Sequence, residues 1–157
     1  VPIIEWQENF NTGIEEFDNH HKHLAELLNI AYDSFICGTA SGGLGRLLDA
    51  LIDYATYHFQ AEEHWMEQNK YPNCAAHMDH HGRFTARILE IHADFVAGRK
   101  TLSLEILVFL KDWLTHHILV SDADYGRFEK TWLTAAERAT SPTVPHFFPM
   151  DIPVVLS

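Results

Sequence analysis

The sequence predicts an all-α protein: an up-down-up-down antiparallel four-helix bundle with an N-terminal arm and an extended C-terminal tail. Three observations carry that expectation. Apolar residues recur at spacings of three and four through four long segments, the period of an amphipathic helix. The breaks between those segments, GTASGG, KYPN and GRKT, are short, and short connections make neighbouring helices antiparallel. Few β-branched residues alternate anywhere, so no sheet is expected.

Residues 1–17, VPIIEWQENFNTGIEEF, read as an arm with Trp6 and Phe10 as anchors. The first helix is expected over about 18–37, with Asp18 as its N-cap. The second runs over about 43–69, with Leu44, Leu47, Leu48, Leu51 and Ile52 at helical spacing. The third follows the KYPN turn over about 74–97 and closes at Gly98. The fourth begins near Leu102 and carries Leu104, Ile106, Leu107, Leu110 and Leu114. Residues 127–139 add a short helix. The chain reads as one domain over 1–157, with a bundle core over about 18–126 and an extension over about 127–157. The final segment, TSPTVPHFFPMDIPVVLS, holds four prolines in eighteen residues and cannot be helical throughout. Its apolar content makes it an expected strap along the bundle, with Phe147 and Phe148 as anchors. The alternative is that it docks on a second chain or another protein partner.

At 157 residues and 46% hydrophobic, the chain is long and apolar enough to bury one core. Its formal net charge of −11 argues against nucleic acid and anionic membranes as partners, since both need a basic face. There is no apolar run near 18 residues and no leader with a basic start, so no membrane span is expected. Two cysteines, Cys37 and Cys74, are too few for a disulfide scaffold. The topology puts them at opposite ends of the bundle, about 30 Å apart, and a bridge needs Cα atoms within about 7 Å. Both are expected to be free thiols, and the expected location is the cytoplasm.

The third helix opens on NKYPNCAAHMDHHGRF, which holds His77, His80 and His81. Residues i and i+4 of a helix differ by about 40° of rotation, so His77 and His81 share a face, with Phe84, Ile88, Leu89 and Ile91 near it. Alone, that pattern is weak. The second helix, however, contains HFQAEEHWM, which places His58 and Glu62 on one face. The fourth contains WLTHHILVSDADY, with His117 and Asp122 at i, i+5. That spacing rotates by about 140° on a regular helix, so both face inward only if the turn widens, as in a π-bulge, or if the helix is ending. The first helix offers His20, His21 and His23 in FDNHHKHL.

In an antiparallel bundle the first helix starts, the second ends, the third starts and the fourth ends at the same level. His21, His58, Glu62, His77, His81, His117 and Asp122 all fall within a turn or two of that level. Five imidazoles and two carboxylates exceed what one ion takes: a zinc site closes at four ligands, and calcium or magnesium wants oxygens. Two ions bridged by two carboxylates and capped by histidines use the whole set, and that donor chemistry suits iron. Ferritin-like di-iron sites take more glutamates and a Glu-x-x-His pattern, which is absent at these positions.

Together, TGIEEFDNHHKHL, HFQAEEHWM, YPNCAAHMDHHGRF and WLTHHILVSDADY resemble the hemerythrin family, in particular the bacterial hemerythrins, over residues 12–125. The resemblance implies that His77, His81 and His117 hold one iron and that His21 and His58 hold the other. It also implies that Glu62 and Asp122 bridge the two iron ions, with an oxo or hydroxo group as a third bridge. In the first helix it selects His21 over His20. Dioxygen is then the expected partner, bound at the iron with two histidines. Phe59, Leu114, Ile118 and Leu119 are the apolar residues beside the ligands, and by resemblance Leu114 and Phe59 line the dioxygen pocket. No Ser, Thr, Glu or Lys stands at an obvious pocket-facing offset, so proton delivery is poor and reversible binding is favoured over oxidase chemistry. The expected function is therefore oxygen carriage, storage or delivery rather than catalysis. The alternatives are an oxygen-sensing signalling module and a di-iron peroxidase or nitric oxide scavenger. His20, His23, His64, His80, His92, His116 and His146 are read as solvated or helix-surface groups, and Trp65, Trp113 and Trp132 as packing residues.

Overall fold

The structure, a computed structural model, describes residues 1–38, 41–99 and 103–140. Leu102 and the segment 141–157, with the expected strap, its anchors Phe147 and Phe148, and His146, lie outside the described residues. Helices α1 (Glu15–Ile36), α2 (Ser41–Gln68), α3 (Cys74–Val96) and α4 (Leu104–His116) form the four-helix bundle, and no strand occurs among the described residues. A short 3₁₀ turn, Glu8–Phe10, precedes α1. Helix α4 does not end where the expected short helix was to begin. It passes through a π-helical turn, His117–Asp122, into α5 (Ala123–Thr140). The His117–Asp122 spacing is thus reconciled by a widened turn.

Neighbouring helices run antiparallel. His20 and His21, early in α1, meet His58, late in α2. Phe84 of α3 stacks on Trp113 of α4 at 3.8 Å, while His81 and His117 meet one turn lower. Leu24, Leu28, Leu48, Leu51, Ile88, Ile91, Leu107 and Leu110 fill the upper half as one apolar cluster. Burying each such side chain contributes about 1.5–3 kcal/mol. Phe17, Met66, Tyr71 and Tyr125 form a second apolar cluster. Leu89, expected near the inward face of α3, is 50% exposed, because the apolar stripe of that helix is narrower than its i, i+4 reading.

Helix α1 starts three residues earlier than expected, and Asp18 is not its N-cap; Ile14 is, with no side-chain cap. Asp18 reaches back from the first turn instead. Its Oδ1 accepts from the Thr12 N–H at 2.6 Å and the Thr12 hydroxyl at 2.8 Å, and its Oδ2 from the Gly13 N–H at 3.1 Å. Gly13 has φ +94°, a conformation open to glycine at little cost. The arm is fastened higher up by Asn29, whose side chain accepts from the Ile4 N–H and donates to the Ile4 carbonyl, both at 2.9 Å. Phe10 is buried and Trp6 packs edge-on against it at 5.3 Å. Helix α4 is capped by Ser103, which accepts from the Ile106 N–H. Cys37 and Cys74 are both free.

The arm also sets the path of α5. A Cβ at Gly126 would lie 2.3 Å from the Thr12 carbonyl oxygen, a backbone atom held in place by the Asp18 contacts. Gly126→Ala should therefore lower folding stability by about 1–3 kcal/mol. The check is a reduced urea midpoint at an unchanged m-value; an unchanged midpoint would show that the arm gives way.

Candidate metal centre

Helical spacing sets the site. One turn of α2 presents His58 and Glu62, one turn of α3 presents His77 and His81, and α1 adds His21. The π turn brings His117 and Asp122 to the same level. All seven side chains are buried, Glu62 and Asp122 at 0% exposure. They fall into two groups able to hold a metal ion: Glu62, His77, His81 and His117; and His21, His58, Glu62 and Asp122.

Each carboxylate divides its oxygens between the groups. Glu62 Oε1 lies 3.3 Å from His58 Nε2 and 3.5 Å from His21 Nε2. Its Oε2 lies 3.2 Å from His81 Nε2 and 3.7 Å from His77 Nε2. Asp122 Oδ2 is 3.1 Å from His21 Nε2, and Oδ1 is 3.1 Å from His117 Nε2 and 3.2 Å from His77 Nε2. Asp122 therefore faces both groups, as Glu62 does. His21 Nε2 and His58 Nε2 stand 3.1 Å apart, His81 Nε2 and His117 Nε2 3.0 Å apart. Two nitrogens at right angles and about 2.1 Å from a shared ion would be about 3.0 Å apart. Glu62 Oε2, His77 Nε2 and both Asp122 oxygens are buried without a well-directed hydrogen bond. Such groups are rare in a folded core, and convergent as they are, these fit a metal ion.

The electrostatics agree. Burial alone would raise both carboxyls, but the facing imidazoles hold Glu62 and Asp122 well below the usual carboxylate range. Burial would lower His21 and His77, yet the Asp122 and Glu62 carboxylates outweigh it and raise each to about 9. Without an ion, the imidazolium forms of these two histidines supply the cationic charge that the buried carboxylates require. His58 is pushed down to about 3 and His117 is lowered, both by burial, leaving neutral rings with a lone pair to give.

Around the cluster stand further side chains, of which the sequence did not single out Tyr125 and Glu63. Tyr125 donates its hydroxyl to Glu62 Oε1. Burial, together with the Glu62 and Asp122 charges, pushes its own pKa well up. His81 donates Nδ1–H to Glu63 at 2.9 Å. Trp113 stacks on His117 at 4.5 Å, and Phe59 on His81 at 3.9 Å. His20, expected at the surface, is buried, with its Nδ1 3.2 Å from His58 Nδ1. It points about 100° from His21 around α1, but α2 lies in that direction. Tyr125 stands three residues beyond Asp122, so helical spacing could have flagged it. Glu63 becomes visible only once α2 and α3 are packed.

One turn above the cluster is an apolar cavity of about 20 Å³, lined by Leu24, Leu28, Leu51, Ala55, Phe59, Phe84, Leu110, Trp113 and Leu114. Phe59 and Leu114, expected beside the ligands, are both in its wall. Ile118 is buried in the same apolar cluster rather than in the cavity wall. Leu119 is turned outward, 39% exposed, because two residues on from the inward-facing His117 is about 200° round the helix.

The family model of the hemerythrin HHE cation binding domain matches residues 12–128. The chain belongs to the hemerythrin family. It is 34% identical to a bacteriohemerythrin of Stenotrophomonas maltophilia over 88% of this chain and 89% of that one. It is 31% identical to myohemerythrin-1 of Phascolopsis gouldii over 76% of this chain and 89% of that one. A crystal structure of wild-type hemerythrin superposes with a TM-score of 0.76 at 31% identity, covering 80% of this chain and 96% of that chain. The bundle of this chain carries a buried His/Glu/Asp cluster suited to metal. No helix among the described residues is long and apolar enough to cross a membrane.

Partners that hold a ligating imidazole typically matter about 10–100-fold in metal affinity. Glu63 is only partly buried, so Glu63→Ala should fold normally. It should weaken metal binding by that factor in a competitive chelator titration, and parent-like affinity would remove Glu63 from the site.

Proposed function

We propose that this hemerythrin binds dioxygen reversibly at a non-haem, carboxylate-bridged di-iron centre, for oxygen carriage, storage or delivery. His77, His81 and His117 would hold one iron, His21 and His58 the other, with Glu62, Asp122 and an oxo or hydroxo group bridging them. The observation that carries this reading is the division of one buried cluster into two unequal groups beside an apolar cavity. The group with His21 and His58 has one imidazole fewer, which would leave a coordination position free on an ion held there. When bound there, ferrous iron supplies the electrons that make dioxygen binding possible.

The chain's own contribution is positioning and exclusion. Leu24 lies one turn above His21, Ala55 one turn above His58, and Leu114 one turn above His117, so the cavity wall is built from the helices that carry the donors. About 20 Å³ is room for a molecule of one or two heavy atoms, and an apolar wall gives water few partners to stay for. No cavity-lining side chain titrates. The Tyr125 hydroxyl and the Glu63 carboxylate face Glu62 and His81 instead. Poor proton delivery favours release of dioxygen unchanged over its reduction, and so favours a binding protein over an oxidase or peroxidase.

The purified chain should contain about two irons, and His117→Ala or His81→Ala should lower that content and bleach the visible colour. One zinc per chain after expression with ample iron would defeat the reading. Stopped-flow mixing of the reduced protein with oxygen, followed by measured release under vacuum, should show binding and recovery. Leu114→Ala should enlarge the cavity and admit water, so oxidation to the diferric state should be faster with both irons kept. An unchanged oxidation rate would assign the barrier to another wall residue such as Phe59.

A further inference from the structure

Two cluster imidazoles, His81 and His58, turn their outer nitrogens to partners of different chemistry. On the three-histidine side, His81 Nδ1 meets the Glu63 carboxylate at 2.9 Å. On the two-histidine side, His58 Nδ1 meets another imidazole, His20 Nδ1, at 3.2 Å. A carboxylate only accepts, whereas a neutral imidazole has one donor and one acceptor nitrogen. The His58–His20 contact therefore ties two tautomers together. His58 Nε2 faces inward, 3.1 Å from His21 Nε2 and 3.3 Å from Glu62 Oε1. With that lone pair given to a metal, the proton of neutral His58 is on Nδ1, and His20 must accept it at Nδ1 while carrying its own proton on Nε2.

We propose that His20 is the positioning residue of the two-histidine metal position, its Nδ1 accepting the Nδ1–H of His58 and so fixing the tautomer and ring angle that aim His58 Nε2 into the cluster. This rests on the di-iron reading above. The His20 ring is buried and held by Phe17 at 6.0 Å, Tyr54 at 5.8 Å and Tyr57 at 5.1 Å. It stands at 89° to the His58 ring, so turning it away would displace aromatic neighbours on both α1 and α2. Outer partners set the basicity as well as the orientation of a ligating imidazole. A neutral imidazole behind His58 withdraws less proton density than a carboxylate behind His81. The two metal positions thus differ in donor strength, not only in donor number.

The test is an anaerobic titration of the metal-free full chain with Co(II) against a competing chelator, read by visible absorption. The parent should take up two equivalents, the three-histidine group binding the tighter one. His20→Leu, which fills similar space but cannot accept, should weaken the second equivalent by about 10–100-fold and leave the first unchanged. His20→Asn, whose Oδ1 can accept near the same place, should restore the second. The proposal is overturned by a parent-like His20→Leu, by an Asn variant as weak as Leu, or by both equivalents weakening together. If His20→Leu does not fold by circular dichroism, nitrogen NMR of the zinc-loaded, 15N-histidine-labelled parent decides. A coupling between His58 Nδ1 and His20 Nδ1 across the hydrogen bond is expected, and an unprotonated His58 Nδ1 overturns the proposal. A parent taking up fewer than two equivalents would defeat the di-iron reading and the proposal with it. Two equivalents in the parent with an unaffected Leu variant would defeat the proposal alone.

Discussion

Glu62 and Asp122 are completely buried side by side, and that is the constraint around which the bundle is arranged. Two carboxylates in a medium of low dielectric repel each other and lose their hydration, a cost of several kcal/mol per ion. Neither hydrogen bonds nor packing could offset it; positive charge is needed between them. Five inward imidazole nitrogens and the space they enclose provide for it, either as imidazolium on His21 and His77 or as bound metal. Every other feature of the lower bundle follows. Tyr125 and Glu63 orient the donors, while Phe59 and Trp113 lie flat on imidazole faces and keep them from turning.

The upper bundle answers with the opposite chemistry. Its Leu and Ile side chains supply hydrophobic stabilisation, and a second apolar layer of Phe17, Met66, Tyr71 and Tyr125 closes the cluster off from the other side. The polar centre is thus held between two dry layers. That placement keeps its electrostatic interactions strong and its orphaned donor atoms out of reach of solvent.

Much of this was legible in the sequence because the helical period and the short breaks carry it. The i, i+4 pairs His58/Glu62 and His77/His81 report a helical face directly, and short breaks fix which ends meet. Even the i, i+5 pair was readable as a conflict that a widened turn resolves. What escaped depended on packing between helices. His20 differs from His23 or His80 only in which neighbour lies in its direction, and Glu63 differs from any exposed glutamate only through the approach of α3. Asp18 has the residue type of a cap, but Thr12 and Gly13 set its use.

That π turn acts as an insertion of one residue into the register of the fourth helix. One residue is about 100° of rotation, so everything beyond Asp122 is dialled round relative to an uninterrupted α-helix. Tyr125 beneath Glu62 and Gly126 against Thr12 are correct only in the shifted frame. A chain that lost the extra residue would misplace Asp122, Tyr125 and Gly126 together. The Asp122 carboxylate, the hydroxyl that supports Glu62 and the close approach to the arm are therefore set as one block, linked by rotation rather than by contact.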